Sequence, residues 1–167
     1  MPRKRSGSLA AMLAILAVLL GLQSAVVTAK SPKILEFDTM VGVQGAFLGA
    51  GGTPIRGVNG PNPPWTLTAA HGELTASGHL EVQVDGLVLT NTGNNPAPAF
   101  GITVSCLATD GAAVNVPTAT FPATTGLASA GGGDASFEGD VNLPDPCVAP
   151  IIFVTNVNGV WFATTGG

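Results

Sequence analysis

Beyond residue 30 the chain is punctuated by Gly, Pro, Asn or Thr every few positions, and no window keeps apolar residues at 3.6-residue spacing for three turns. A helix that cannot present a continuous apolar stripe has nothing to bury, so helical folds are excluded first. What remains is a series of short β-branched and aromatic runs between turn signals, the pattern of an all-β sandwich or barrel. The strongest such runs are AFGITVSCLA (residues 99–108) and CVAPIIFVTNVNGVWFA (residues 147–163), which together hold both cysteines.

The first 29 residues are of another kind. Arg3, Lys4 and Arg5 precede an uncharged apolar run from Leu9 to Leu22, and small residues follow to Val27-Thr28-Ala29. That order is the order of a secretory signal peptide, which is helical in its apolar part. Cleavage is expected after Ala29, with Ala25 the alternative. An uncleaved anchor is the rival, but Gln23 and Ser24 interrupt the run before it reaches spanning length. The expected organisation is a signal peptide over residues 1–29 and one β-sandwich domain over residues 30–167, with export to the periplasm, the cell surface or the medium.

Removing the leader changes the charge. Lys30, Lys33 and Arg56 then face ten carboxylates, a net charge of −7, and no Lys or Arg follows Arg56. Phosphate backbones need clustered cations, so nucleic acid is excluded as a partner. Anionic lipid surfaces repel such a chain for the same reason, and no stable membrane insertion is expected after cleavage. An unknown protein or another component of the cell envelope is the partner class that remains. Ion-pair networks are equally out of reach, so the fold must rest on apolar packing, backbone ladders and the cysteines.

In an oxidising compartment Cys106 and Cys147 are expected to pair, the alternative being two separate buried thiols. Closing a loop of 41 positions would stabilise by about 4 kcal/mol on the chain-entropy account.

Register can be argued for one hairpin. Over residues 66–89, Leu80, Val82 and Val84 alternate with Glu81, Gln83 and Asp85. A two-residue turn at Ser77-Gly78 would set Leu74 against Glu81 and mix the faces. A three-residue loop, Ala76-Ser77-Gly78 with a left-handed glycine, sets Leu74 against Leu80 and Glu73 against Glu81. Residues 33–37 form a first strand, and residues 39–64 a long loop with a short piece at Ile55 to Val58. Trp65 is a core plug. Asp110-Gly111 and Asn158-Gly159 read as two-residue turns, the second setting Val157 against Val160. Residues 90–98 read as a loop, residues 125–133 as a mobile low-complexity segment, and residues 135–143 as another alternating strand. The fold expected is a two-layer, Ig-like sandwich of seven to nine antiparallel strands with one disulfide.

FDTMVGV, PIRGV, GHLEVQVDGLVL and PCVAPIIFVT, beginning at Phe37, Pro54, Gly78 and Pro146, together resemble a set of small exported bacterial proteins with no assigned activity. The resemblance implies a fold and a compartment but no substrate.

Candidate sites are few. His71, Glu73, His79, Glu81, Gln83 and Asp85 share the outer face of the hairpin, and imidazole with carboxylate is a donor set for zinc. A solvated polar face explains the same alternation, and His71-Gly72-Glu73 is not a zinc spacing. Glu138, Asp140, Asn142 and Asp145 offer the hard oxygens calcium prefers, without an EF-hand loop. Arg56 is read as a structural clamp pinning the long loop to an acidic partner. No Gly-x-Ser-x-Gly elbow occurs, Ser105 lies inside a strand, and no catalytic residue is assigned. Glu73 and Glu81 are a glycosidase-like pair, but without Tyr and with two Trp a sugar platform is poorly supplied. The expectation is therefore a non-enzymatic structural or binding module that needs no cofactor, then a metal-binding protein using the His71/His79 face, then a small secreted hydrolase.

Overall fold

The computed structural model describes residues 30–166, so the expected signal peptide lies outside the described residues. Eight strands of four or more residues carry the fold. They are β1 (Lys33–Phe37), β4 (Ala69–Thr75), β5 (His79–Asp85), β8 (Ala99–Leu107), β9 (Ala113–Pro117), β12 (Ala135–Asp140), β13 (Val148–Thr155) and β14 (Trp161–Thr164). Two-residue strands fill the gaps: β2 (Val41–Gly42), β3 (Trp65–Thr66), β6 (Val88–Leu89), β7 (Asn94–Asn95), β10 (Phe121–Pro122) and β11 (Gly126–Leu127). Among the described residues the only helical turns are single 3-10 turns, and no helix is long and apolar enough to cross a membrane. The fold is all-β and antiparallel.

One sheet runs β1-β4-β5-β12. A second runs β10-β8-β13-β14-β2, with β9 also pairing β8, and two two-stranded sheets pair β11 with β7 and β3 with β6. The two large sheets each contribute one face to a shared core, in a sandwich-like arrangement. Leu74, Leu80, Val82 and Val84 come from the first sheet, and Phe100, Ile102, Val104, Ile152, Val154 and Phe162 from the second. Trp65 is buried among them, stacked on Phe162 at 4.0 Å between ring centroids and edge-on to Phe100 at 6.4 Å. A register shift in the β13–β14 pair after Val154 accommodates Phe162 on the core side and Trp161 on the other, where it meets Phe47 and Phe153.

That second side of β8 and β13 is also covered, which is why both strands are apolar or small on both faces. Residues 44–64 lie across it, held by Trp161 N–H to the Asn59 carbonyl and Val43 N–H to the Phe162 carbonyl. Cys106 and Cys147 form a disulfide, with Cα atoms 4.9 Å apart, joining β8 to the entry of β13.

The hairpin register is the expected one: Leu74 faces Leu80 and Glu73 faces Glu81. Gly78 sits at φ +93° with its N–H on the Thr75 carbonyl. The other two hairpins use the same loop rather than the two-residue turns their Asp-Gly and Asn-Gly pairs suggest. Ala108 N–H reaches the Ala112 carbonyl, and Asn156 N–H the Val160 carbonyl. Gly111 and Gly159 have positive φ whereas Asp110 and Asn158 do not, and a type I′ turn needs both. Val157 consequently points to solvent, 67% exposed, instead of facing Val160. Asp110 and Asn156 accept loop N–H groups on their own side-chain oxygens, which favours the longer loop.

Two further expectations are corrected. The two-residue turn with both φ values positive occurs at Arg56-Gly57, closed by the Ile55–Val58 pair. There Arg56 donates from Nη1 to the Ser105 carbonyl oxygen at 2.9 Å, and Asn115 donates to the Arg56 carbonyl. The guanidinium is a clamp, but on backbone rather than on a carboxylate, because the strand it overlies carries no acid. Residues 125–133 are also tied down rather than loose. β11 pairs β7, and the backbone of Gly133 bonds both Thr124 and Leu87. Fully buried Asn95 stitches this corner by donating to the carbonyls of Ala97 and Thr124.

Candidate functional site: the outer face of the four-stranded sheet

Alternation alone places His71, Glu73, Glu81, Gln83 and Asp85 on the side of β4 and β5 away from the core. Pairing with the flanking strands extends this face in a way the hairpin by itself does not reveal. Glu36 of β1 lies opposite Glu73, Glu73 opposite Glu81, and Glu81 opposite Glu138 of β12. Four glutamates, one from each strand, therefore form a row across the sheet. At about 4.8 Å between neighbouring strands the row spans roughly 14 Å.

Like charges directly opposite one another repel, and a basic side chain stands among them near each end. Lys33 Nζ bridges Glu36 at 2.9 Å and Glu73 at 2.5 Å. His79 does the same between β5 and β12: Nε2 lies 3.2 Å from Glu81 Oε1 and 4.0 Å from Glu138 Oε1, and Nδ1 lies 3.3 Å from Asp140 Oδ1. A neutral imidazole has one N–H to donate and an imidazolium has two. The contacts with Glu81 and Asp140 use both nitrogens, and hydrogen bonds first to Glu81 and then to Asp140 raise the His79 pKa above its ordinary value, against a smaller opposing effect of desolvation. The Lys33 ammonium is likewise raised, by its hydrogen bonds to Glu73 and Glu36.

The hairpin donor set expected from the sequence thus divides. Glu73 is engaged by Lys33. His71, opposite Gln83, lines two shallow hollows of about 240 and 580 Å³ on either side of it. His79 and Glu81 instead gather with Glu138, and one ligand atom from each of the three lies within 4.8 Å of the others. This group draws on both acidic sets noticed in the sequence. The expected oxygen set is divided too: Glu138 and Asp140 stand on β12, whereas Asn142 and Asp145 lie past its end. The pairing of β5 with β12, far apart in the chain, is what brings the sets together. A matching alternation of residues 135–140 was the available signal.

Chemically, the face offers carboxylate oxygens and one imidazole for a cation, and it is open. Glu138 and Asp140 side chains are 75% and 84% exposed. Ser105, inside β8, is fully buried and out of reach as a nucleophile. Comparison of the chain with known protein families, with characterised proteins and with solved structures finds no match.

Proposed function

We propose that this chain is an exported, non-enzymatic binding or structural module of the cell envelope: an Ig-like two-layer sandwich, stapled by Cys106–Cys147, that presents the outer face of its four-stranded sheet to a protein or envelope partner. The observation that carries this reading is the in-register row Glu36–Glu73–Glu81–Glu138 on an open sheet surface. Carboxyl catalysts are tuned by a dry pocket around the acid, whereas Glu36, Glu81 and Glu138 stand exposed and the more covered Glu73 is engaged by Lys33. The leader-like residues 1–29 and the disulfide support export, and the resemblance to small exported bacterial proteins belongs to the same reading. The test is a photo-crosslinking residue at Gln83 in the exported protein. Capture of one defined envelope component, competed by unlabelled protein and lost in Glu81→Ala/Glu138→Ala, is expected; equal capture from a crosslinker at exposed Val157 would overturn the reading.

A second reading, a divalent metal held by His79, Glu81 and Glu138, is favoured by the convergence of their ligand atoms. Zinc accepts this donor set. A specific ion must raise the melting temperature by mass action. A zinc-dependent rise that survives His79→Gln would remove the reading.

A further inference from the structure

The four-stranded sheet ends at β12, and the direction of that strand's backbone groups can be fixed. In an antiparallel pair alternate residues spend both N–H and C=O on the same neighbour. Val141 N–H bonds the Gly78 carbonyl at the β5 end of the ladder, so residues 135, 137, 139 and 141 face β5. The opposite parity is confirmed independently at the other end, where the Asp134 carbonyl accepts Thr124 N–H from outside the sheet. Ser136, Glu138 and Asp140 therefore direct their N–H and C=O groups away from β5, and although β10 packs beside β12 through Phe121 and Phe137, among the described residues no backbone hydrogen bond is made to them. Beside this edge lies a groove of about 330 Å³ between β12 and residues 116–119, lined by Phe137, Val141, Val116 and Pro117 among others.

We propose that the β12 edge is a β-augmentation site for an extended cationic segment of a partner protein, which adds a fifth strand to this sheet. An added strand alternates its side chains. One set would lie over the apolar floor made by Phe137, Val141 and Val116, and the other beside Glu138 and Asp140 on the acidic face. Cross-strand pairing favours opposite charge at the second set, so the occupant alternates Lys or Arg with apolar residues. A second copy of this chain is the wrong occupant. Antiparallel β12–β12 pairing would juxtapose Glu138 and Asp140 with their own equivalents, and the chain beyond the leader holds only Lys30, Lys33 and Arg56 as cations. The proposal rests on the reading of the protein as a binding module and names the mode and chemistry of the partner.

The test titrates the purified protein with three capped heptapeptides: alternating Lys-Val, the same composition with the valines adjacent, and alternating Glu-Val. The alternating Lys-Val peptide should bind at least about tenfold more tightly than the other two and slow amide exchange at Ser136, Glu138 and Asp140. Glu138→Pro removes an outward N–H without touching the β5 ladder, a substitution edge strands accept, and should abolish binding. Should that variant not fold, Glu138→Lys carries the test, by weakening Lys-Val and strengthening Glu-Val. Equal binding of both lysine peptides without slowed exchange would overturn augmentation while leaving a cation-attracting sheet face, and with it the binding-module reading, in place. Binding of none of the three overturns the edge proposal alone, since crosslinking from Gln83 judges the broader reading separately.

Discussion

Arg56 shows how much one side chain can be asked to do in a chain with so few cations. It occupies the left-handed region at φ +49°, where a non-glycine residue is strained, yet its guanidinium holds the Ser105 carbonyl and its own carbonyl is held by Asn115. Strain of this sort persists only where surrounding bonds over-determine it. Arg56→Ala keeps the unfavourable backbone and loses the clamp, so it should destabilise by about 1–3 kcal/mol and speed proteolytic cleavage within residues 44–64. Unchanged denaturant midpoint and cleavage would contradict this. His79 supplies a pH dependence. Its folded pKa is raised by Glu81 and Asp140, so the protonated form is the one the fold favours. That contribution is complete below the unfolded histidine value of about 6.5 and is lost as pH rises through the folded pKa. Thermal melts from pH 5 to 8 should show a small decline that His79→Gln removes, and that shrinks with added salt because the site is exposed. An unchanged slope in the variant would show that the histidine is not responsible.

At the scale of elements, three hairpins share one solution: a three-residue loop whose last residue is a left-handed glycine. What distinguishes them is the surroundings. A Cβ at Gly111 or Gly159 would meet open space, whereas at Gly78 it would overlap the carbonyl of Val141, the residue whose N–H bonds the Gly78 carbonyl and so joins the hairpin to the end of β12. Alanine should cost about 1 kcal/mol at Gly111 and at least about twice that at Gly78, with the β5–β12 pairing loosened as well. Equal costs by chemical denaturation would contradict the packing argument. Local pattern made the first hairpin legible, because only one loop length keeps Leu74 and Glu73 on their proper faces. In the other two, Asp-Gly and Asn-Gly resemble a type I′ turn and nothing on the flanking strands discriminates register: residues 151–154 are apolar on both faces. The buried side chain of Asn95, and with it the order of residues 125–133, was invisible for a related reason. Its partners are the backbone groups of Ala97 and Thr124, which carry no sequence signature.

For the whole molecule, composition was the better guide. A chain of net charge −7 over residues 30–167 must be held by apolar surface, ladders and the cysteine pair, and one continuous core drawn from the two large sheets is what is found. The acidic row was only half legible. Glu73 and Glu81 followed from the hairpin, but Glu36 and Glu138 join them through pairings that depend on where β1 and β12 dock. The reading of this surface as the working face of an exported module requires that the chain cross a membrane and oxidise. Intact-mass analysis of the protein recovered from its own host tests that requirement most directly. The expected product is a chain beginning at Lys30, or at Val26, and lighter by two hydrogens than its dithiol form. A chain that retains Met1 and carries two free thiols would contradict it.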